Sequence, residues 1–287
     1  MYYGLIIVAV IMFGGCFALN DIYQKQCGSS IKVSLQFSLI SSLAGLIVLM
    51  AINGFKLEFT VFTLCMALLS TLSGFGFTFC AFKALGIINP SLFSLFSMLG
   101  GMVLPFVQGI VFYGESITAA KIVCFVFICA ALLLTVERSD KNKGALYYIG
   151  IFVLNGMSGV LSKIFTSAPY EKTSAAGYSI WGSLCTVVIS AILLLLFFRK
   201  QGEENKLRPA SVGVGALNGI ANRIANFLLV IALMHVDASV QYPMVTGGVM
   251  IVSTIICFFG KNMPSKKEIL SVVLAFVGML ALFVIPV

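Results

Sequence analysis

One apolar stretch of the sequence contains three amides and a guanidinium at regular spacing. Asn218, Asn222 and Asn226 recur at every fourth residue, and Arg223 lies among them. If the stretch is helical, residues four apart project from one face, so the amides would form a stripe. A guanidinium near the centre of a membrane is costly unless it faces protein or water, and it binds carboxylates and phosphates well. The pattern therefore predicts a binding surface for a polar solute with a negatively charged group.

A structural explanation of the same stretch stays open. The asparagines could hydrogen-bond neighbouring helices, while Gly215 and Gly219 allow those helices to approach closely. Arg223 would then pair with an acidic residue inside the protein. The two explanations differ in what Arg223 contacts.

Other apolar stretches contain isolated aromatic and amide side chains that could join the same surface. Trp181 is expected well inside its helix, where its ring could stack on a solute or fill a helix interface. The remaining candidates, with the same two alternatives, are Tyr242, Gln241, Gln108 and Asn20.

Four charged residues are candidates for gating or charge roles. Asp21 and Lys163 fall at matching positions of the two halves and are expected near opposite membrane surfaces, each at one mouth of a pathway or as a local ion pair. Lys83 is expected on the side of Asp21, as its partner or as a membrane anchor. Glu115 is expected at a helix end, in contact with a helix terminus.

No residue pattern points to a metal, a cofactor or catalysis. His235 is the single histidine, and no cluster of cysteine, aspartate or glutamate residues gives it metal-ligand spacing. No phosphate-binding loop, dinucleotide fingerprint or hydrolase motif occurs. We therefore expect neither a metal site nor a cofactor, and no enzyme. A membrane-embedded enzyme, a channel and a structural subunit remain as alternative classes.

The elements that hold these residues are predicted to be membrane helices. The chain has 287 residues, of which 60% are hydrophobic and 10% charged, with a mean hydropathy of +1.08. About 20 apolar residues cross the hydrocarbon as a helix. Ten stretches qualify: 3–24, 32–53, 59–85, 89–113, 117–137, 144–167, 173–199, 208–234, 238–260 and 266–286.

The two halves of the chain resemble one another, and we place them at 1–138 and 143–287. Asn89 to Glu115, with Gly100-Gly101 inside, aligns with Asp237 to Lys261, with Gly247-Gly248 inside. A repeat of five helices is odd in number, so consecutive copies enter the membrane in opposite senses. The predicted fold is therefore all-α and integral to the membrane, with ten helices as two inverted five-helix repeats and a site near the midplane.

The stretch 81–91, which ends in Asn89-Pro90-Ser91, and the later Gly114-Glu115 resemble the repeat signature of the drug/metabolite transporter superfamily, EamA-like branch. Lys163 matches that pattern, whereas Asp21 and Lys261 depart from it. The resemblance implies a ten-helix secondary transporter that works by alternating access. It leaves amino acids and related metabolites, nucleotide-type compounds, quaternary amines and drugs open as substrates.

The net charge of +8 fits a membrane surface better than a nucleic acid, because the basic residues lie in loops and form no stripe. The loops after odd-numbered helices hold most of them, so the positive-inside rule puts both termini outside, whereas the family resemblance puts them inside. The expected partners are the lipid bilayer and a small-molecule solute, and a homodimer stays open. The expected location is the cell (inner) membrane.

Overall fold

The protein, described by a computed structural model for residues 2–28, 30–85, 90–134, 145–198, 209–259 and 265–285, contains ten α-helices in that part of the chain. Their bounds follow the predicted spans to within a few residues. They are α1 Tyr2–Cys27, α2 Ile31–Ile52, α3 Val61–Leu85, α4 Pro90–Tyr113, α5 Ala119–Leu134, α6 Ala145–Ser167, α7 Ala175–Phe198, α8 Pro209–Leu233, α9 Ala238–Phe259 and α10 Lys266–Val284.

Nine of these described helices are long and apolar enough to cross a membrane. The tenth, α5, is apolar but has 16 residues in the described part, against the predicted 117–137. The outer surface is apolar too, since Ile47, Val111 and Leu195 are each about two-thirds exposed. A water-soluble protein does not expose large apolar side chains over so many helices, so the chain is a multi-pass membrane protein.

Successive spanning helices end on alternate sides. Face 1 is the side that holds Tyr2 and the connections after α2, α4, α6 and α8. Face 2 holds the connections after the odd-numbered helices. Contacts between distant parts of the chain agree with this division, because Tyr2 stacks on His235 at face 1 and Ser211 donates to Gln26 at face 2.

Helices of the first half pack mainly against helices of the second half. The pairs α2 with α7, α4 with α9 and α5 with α10 all contact each other. Six further interfaces form three matched sets: α4 with α6 and α9 with α1, α1 with α8 and α6 with α3, α2 with α8 and α7 with α3. Adding five to each helix number, and subtracting ten where the sum exceeds ten, converts one member of each set into the other.

Glycines allow the closest of these approaches. A Cβ on Gly219 of α8 would lie 2.0 Å from the Ser41 carbonyl oxygen of α2, and one on Gly100 of α4 would lie 2.0 Å from the Phe152 carbonyl oxygen of α6. Only glycine lets the backbones meet at this distance. The contact at Gly219 brings α2 against the segment of α8 that contains Arg223.

Candidate solute-binding site

A cavity of about 310 Å³ lies among α2, α3, α6, α7 and α8. That volume is at the lower end of the range for sites that bind small molecules. Its polar lining consists mostly of hydroxyl groups, with one guanidinium and one amide. The polar lining residues are Ser38, Ser70, Thr71, Thr78, Ser158, Ser162, Tyr178, Ser179, Thr186, Arg223 and Asn226.

Arg223 enters this cavity from the middle of α8. Its Nη2 donates to the Ser42 hydroxyl of α2 at 2.8 Å and to the Thr186 hydroxyl of α7 at 3.2 Å. Its stem packs against α2 where Gly45 has no side chain. Among the described residues no carboxylate pairs with it, as the ion pairs there join other residues. The guanidinium thus has a fixed position and an unneutralised charge.

The three asparagines of α8 have different surroundings. Asn218 is buried and donates to the Cys16 carbonyl of α1 at 2.8 Å, which is a helix-to-helix contact. Asn226 lines the cavity, and its amide donates to the carbonyl and side-chain oxygens of Asn222 at 2.8 and 3.0 Å. Of the predicted asparagine stripe, Asn226 therefore faces the cavity, and Asn222 orients the Asn226 amide.

A smaller chamber of about 60 Å³ adjoins the cavity and shares Ser158, Ser162, Asn226 and Val230 with it. Gln241 and Tyr242, at the start of α9, line this chamber. The Tyr242 hydroxyl donates to the Gly159 carbonyl of α6 at 3.0 Å.

A third space of about 550 Å³ lies between the face 2 ends of α1, α2, α3 and α4. Asn20 lines it, together with Gln24, whose amide contacts the Asn20 side-chain oxygen at 3.5 Å. Thr78 lines both this space, termed here the vestibule, and the cavity around Arg223. The two spaces therefore meet at Thr78.

Face 1 of the bundle is held together by a buried carboxylate. Glu115, in the connection between α4 and α5, accepts from the backbone N–H groups of Ala238 and Ser239 at 2.9 and 2.8 Å and from the Ser239 hydroxyl at 2.5 Å. These groups form the N-terminus of α9, which favours a negative charge. Lys163 of α6 completes the cluster, with its Nζ 2.7 Å from the Glu115 carboxylate.

The surroundings of Glu115 keep it ionised. Burial alone raises the pKa of this carboxyl group, but hydrogen bonds from Lys163, Ser239 and Ala238 lower it by more. The net effect is a pKa below the ordinary value for glutamate. The cluster therefore joins two opposite charges rather than a shared proton.

A second carboxylate makes a similar contact at face 1. Glu58, in the connection between α2 and α3, accepts from the Ser174 N–H at 2.6 Å, just before α7 begins. Its pKa is lowered chiefly by this backbone hydrogen bond. The Trp181 indole N–H donates to the Glu58 carbonyl at 2.7 Å. Trp181 thus fixes a loop at face 1, and it is not among the residues that line the cavity.

The sequence did not single out Glu58, because one carboxylate in a short loop has no distinctive local pattern. Its partner Ser174 lies 116 residues away in the chain. The available signal was positional: Glu58 and Ser174 stand in connections at the same face, Glu58 three residues before α3 and Ser174 directly before α7.

The other candidates lie apart from the cavity. Asp21 is exposed at face 2 and pairs with Lys25 at 2.5 Å, one turn along α1. Gln108 is buried in α4 and does not line any of these spaces. The side chain of Lys83 and the whole of Lys261 lie outside the described residues.

Within the described part of the chain, no group of three histidine, cysteine, aspartate or glutamate side chains could hold a metal ion. His235 stacks on Tyr2 with ring centres 3.9 Å apart. This histidine packs on the first residues of α1 and has no place in the cavity.

Comparison with known proteins identifies a fold and nothing more specific. No known family and no curated protein matches the sequence. One solved structure, described only as "Crystal structure of protein", superposes on 96% of this chain and 94% of its own length, with a TM-score of 0.72 and 16% sequence identity. At that identity the likeness concerns the fold alone.

Proposed function

We propose that this chain is a secondary carrier for small organic anions that also form hydrogen bonds. The proposal rests on the position of Arg223. Its charged guanidinium lies near the middle of a spanning helix and faces a cavity. Among the described residues it is bonded only to hydroxyl groups. A charge at this depth is costly without a counter-ion. A carboxylate or phosphate of the solute would supply that counter-ion through paired N–H donors.

The proposed mechanism is alternating access between two inverted five-helix repeats. The matched helix contacts support it, because a two-fold axis in the membrane plane that exchanged α1–α5 with α6–α10 would produce such matched pairs. The cavity is bordered by α2 and α3 of one repeat and by α6, α7 and α8 of the other. Movement of one repeat against the other would therefore open the cavity to either face.

The arrangement corresponds to a carrier that is closed at face 1 and accessible from face 2. Glu115 and Glu58, both from the first repeat, bind the N-terminal ends of α9 and α7 in the second. We term these two contacts the face 1 latches. At the opposite end, the vestibule meets the cavity at Thr78. Opening of face 1 would require both latches to separate.

The chemistry of the lining favours a small and polar solute. Serine and threonine are the commonest residues that line the cavity around Arg223. They can both donate and accept, so they suit the oxygen-rich groups of an organic acid or a phosphate ester. The overall type is that of the drug/metabolite transporters, in a cell membrane, with no metal or cofactor in the transport step.

Uptake into proteoliposomes tests the proposal. Vesicles containing the purified chain would be given radiolabelled lactate, aspartate or glycerol 3-phosphate, with and without the same unlabelled compound inside. We expect counterflow of at least one compound, its loss in Arg223→Gln and partial retention in Arg223→Lys. The control Lys25→Gln alters an exposed cation at face 2 and should transport normally. Equal counterflow by the wild type and Arg223→Gln would refute the proposal.

A further inference from the structure

The small chamber beside the cavity contains a buried hydrogen-bond acceptor that has no partner. Gln241 is 1% exposed, and its amide nitrogen donates to the Leu229 carbonyl at 3.1 Å. A carbonyl can only accept, so the nitrogen and oxygen of this amide are assigned without ambiguity. The side-chain oxygen, Oε1, is left without a hydrogen bond. A buried polar atom without a partner needs an explanation, and a bound group that supplies the partner is one.

Two of the three hydroxyl groups that line the chamber, those of Tyr242 and Ser162, have already used their protons, while the Ser158 hydroxyl can still donate or accept. The Tyr242 hydroxyl donates to the Gly159 carbonyl, and the Ser162 hydroxyl donates to the Ser158 carbonyl at 2.9 Å. Their remaining capacity is that of acceptors. Together with Gln241 Oε1, these oxygens give the chamber more free acceptors than donors, so it favours an occupant that donates hydrogen bonds.

The end of the cavity at Arg223 offers hydrogen-bond donors instead of acceptors. Arg223 has only donors, and it lies on the same helix as the chamber residues Asn226 and Leu229. Three to six residues of helix separate them, which corresponds to roughly 5 to 9 Å at about 1.5 Å per residue. The cavity and the chamber together thus have a donor-rich end and an acceptor-rich end, and the distance between the two ends is about the length of a small metabolite.

We infer that the chamber is a subsite for a hydrogen-bond donor of the solute. The inference rests on the proposed function and narrows its substrate class to small carboxylates or phosphate esters with an amino or hydroxyl group at the far end. Gln241 is then a specificity-determining residue. A solute without that group leaves Oε1 unpaired, and sites of this kind discriminate against such analogues.

Binding of three matched acids tests the inference: pentanoate, 5-hydroxypentanoate and 5-aminopentanoate. Affinities would be measured by calorimetry on the purified full chain. We expect the wild type to bind at least one donor-bearing acid about three- to tenfold more tightly than pentanoate, the range for one uncharged hydrogen bond. Gln241→Leu should bind all three acids as the wild type binds pentanoate. Gln241→Met serves as a second variant if the leucine variant does not fold.

Gln108 provides the matched control, since it is also a buried glutamine with an unpartnered Oε1, but lies outside the chamber. Gln108→Leu should keep the wild-type preference. Loss of the preference in Gln108→Leu as well, or its survival in Gln241→Leu, would overturn the inference.

Two further outcomes separate this inference from the proposed function. If the wild type binds the three acids equally and Arg223→Gln binds none, the subsite is refuted and the anion site stands. If the wild type binds none of them, the subsite is refuted, and the counterflow assay alone decides the proposed function. A sodium ion in the chamber would overturn the inference. Its sign, with no acid present, would be a wild-type melting temperature that rises with NaCl but not with KCl, and a Gln241→Leu variant without that rise.

Discussion

The Glu115 carboxylate and the Lys163 ammonium lie 2.7 Å apart at face 1, with side chains that are only 4% and 9% exposed. The pair joins the α4–α5 connection to α6, and the same carboxylate binds the N-terminus of α9. Asp21 and Lys25 form the contrasting pair, since both are well exposed to the surroundings at face 2. Burial should therefore decide how much each pair contributes to stability.

Loss of Glu115 should destabilise the fold far more than loss of Asp21. Glu115→Gln leaves a buried ammonium without its counter-charge, which typically costs about 3–5 kcal/mol. Asp21→Asn breaks an exposed pair that is worth less than about 1 kcal/mol. Thermal unfolding in detergent measures both. The double variant Glu115→Gln/Lys163→Met should recover most of the loss, and equal effects of the two single variants would contradict the role of burial.

The acid sensitivity of the same contact has a definite sign. The pKa of Glu115 is lower in the folded protein than its ordinary value of about 4.3. Its contribution to stability is thus fully present above the ordinary value and disappears as the pH falls through the folded pKa. The difference in melting temperature between the wild type and Glu115→Gln/Lys163→Met should be constant from about pH 5 to 8 and shrink below about pH 4. A steep change near pH 6 would contradict this.

Close contact between α2 and α8 should depend on Gly219. Gly219→Ala places a methyl group against the Ser41 backbone and should destabilise the fold by about 1–3 kcal/mol, the usual range for overpacking. A methyl group added at Gly213, on the same helix, would have no atom within 4 Å. Gly213→Ala should be neutral or stabilise by up to about 1 kcal/mol. Equal melting temperatures for the two variants would exclude a tight contact at Gly219.

Accessibility from face 2 can be measured with a cysteine at Gly74. This glycine lines the cavity and has open space where a side chain would begin. In a cysteine-free background, Gly74→Cys should react with a charged thiol reagent added to face 2 and stay unreactive from face 1. Adding Glu58→Gln weakens a face 1 latch and should increase labelling from face 1.

Gly15 supplies the control for that labelling experiment. It also has open space at its Cα, but it does not line the cavity or the vestibule. Gly15→Cys should not react from either face. Labelling of Gly74→Cys from face 1 alone would reverse the assignment of the closed side.

The helices were predictable from sequence because a membrane removes water as a hydrogen-bond partner, so each apolar stretch must satisfy its own backbone. The predicted span 32–53 and the observed Ile31–Ile52 illustrate the agreement. The predicted start of the third span at residue 59 and the observed start of α3 at Val61 illustrate the remaining error, since hydropathy does not mark where the first turn begins.

The candidate site was only partly predictable. The sequence marks Arg223 because a charge in an apolar stretch needs an explanation. The sequence does not reveal that Asn218 bonds α1 while Asn226 lines the cavity. Helical spacing predicts that the asparagines share one face of α8, but not which helix or cavity each of them contacts. The bond from Trp181 to Glu58 joins residues 123 positions apart, which a local pattern cannot show.

The most direct test of the account is the melting temperature of the wild type and Arg223→Gln, each with and without saturating 5-aminopentanoate. Glutamine keeps the part of the side chain that packs at Gly45 and removes the unneutralised charge. The account predicts that Arg223→Gln melts no lower than the wild type without solute and loses the rise that solute gives the wild type. A variant that melts lower without solute, yet keeps the full rise, would show that Arg223 serves the fold and not the solute.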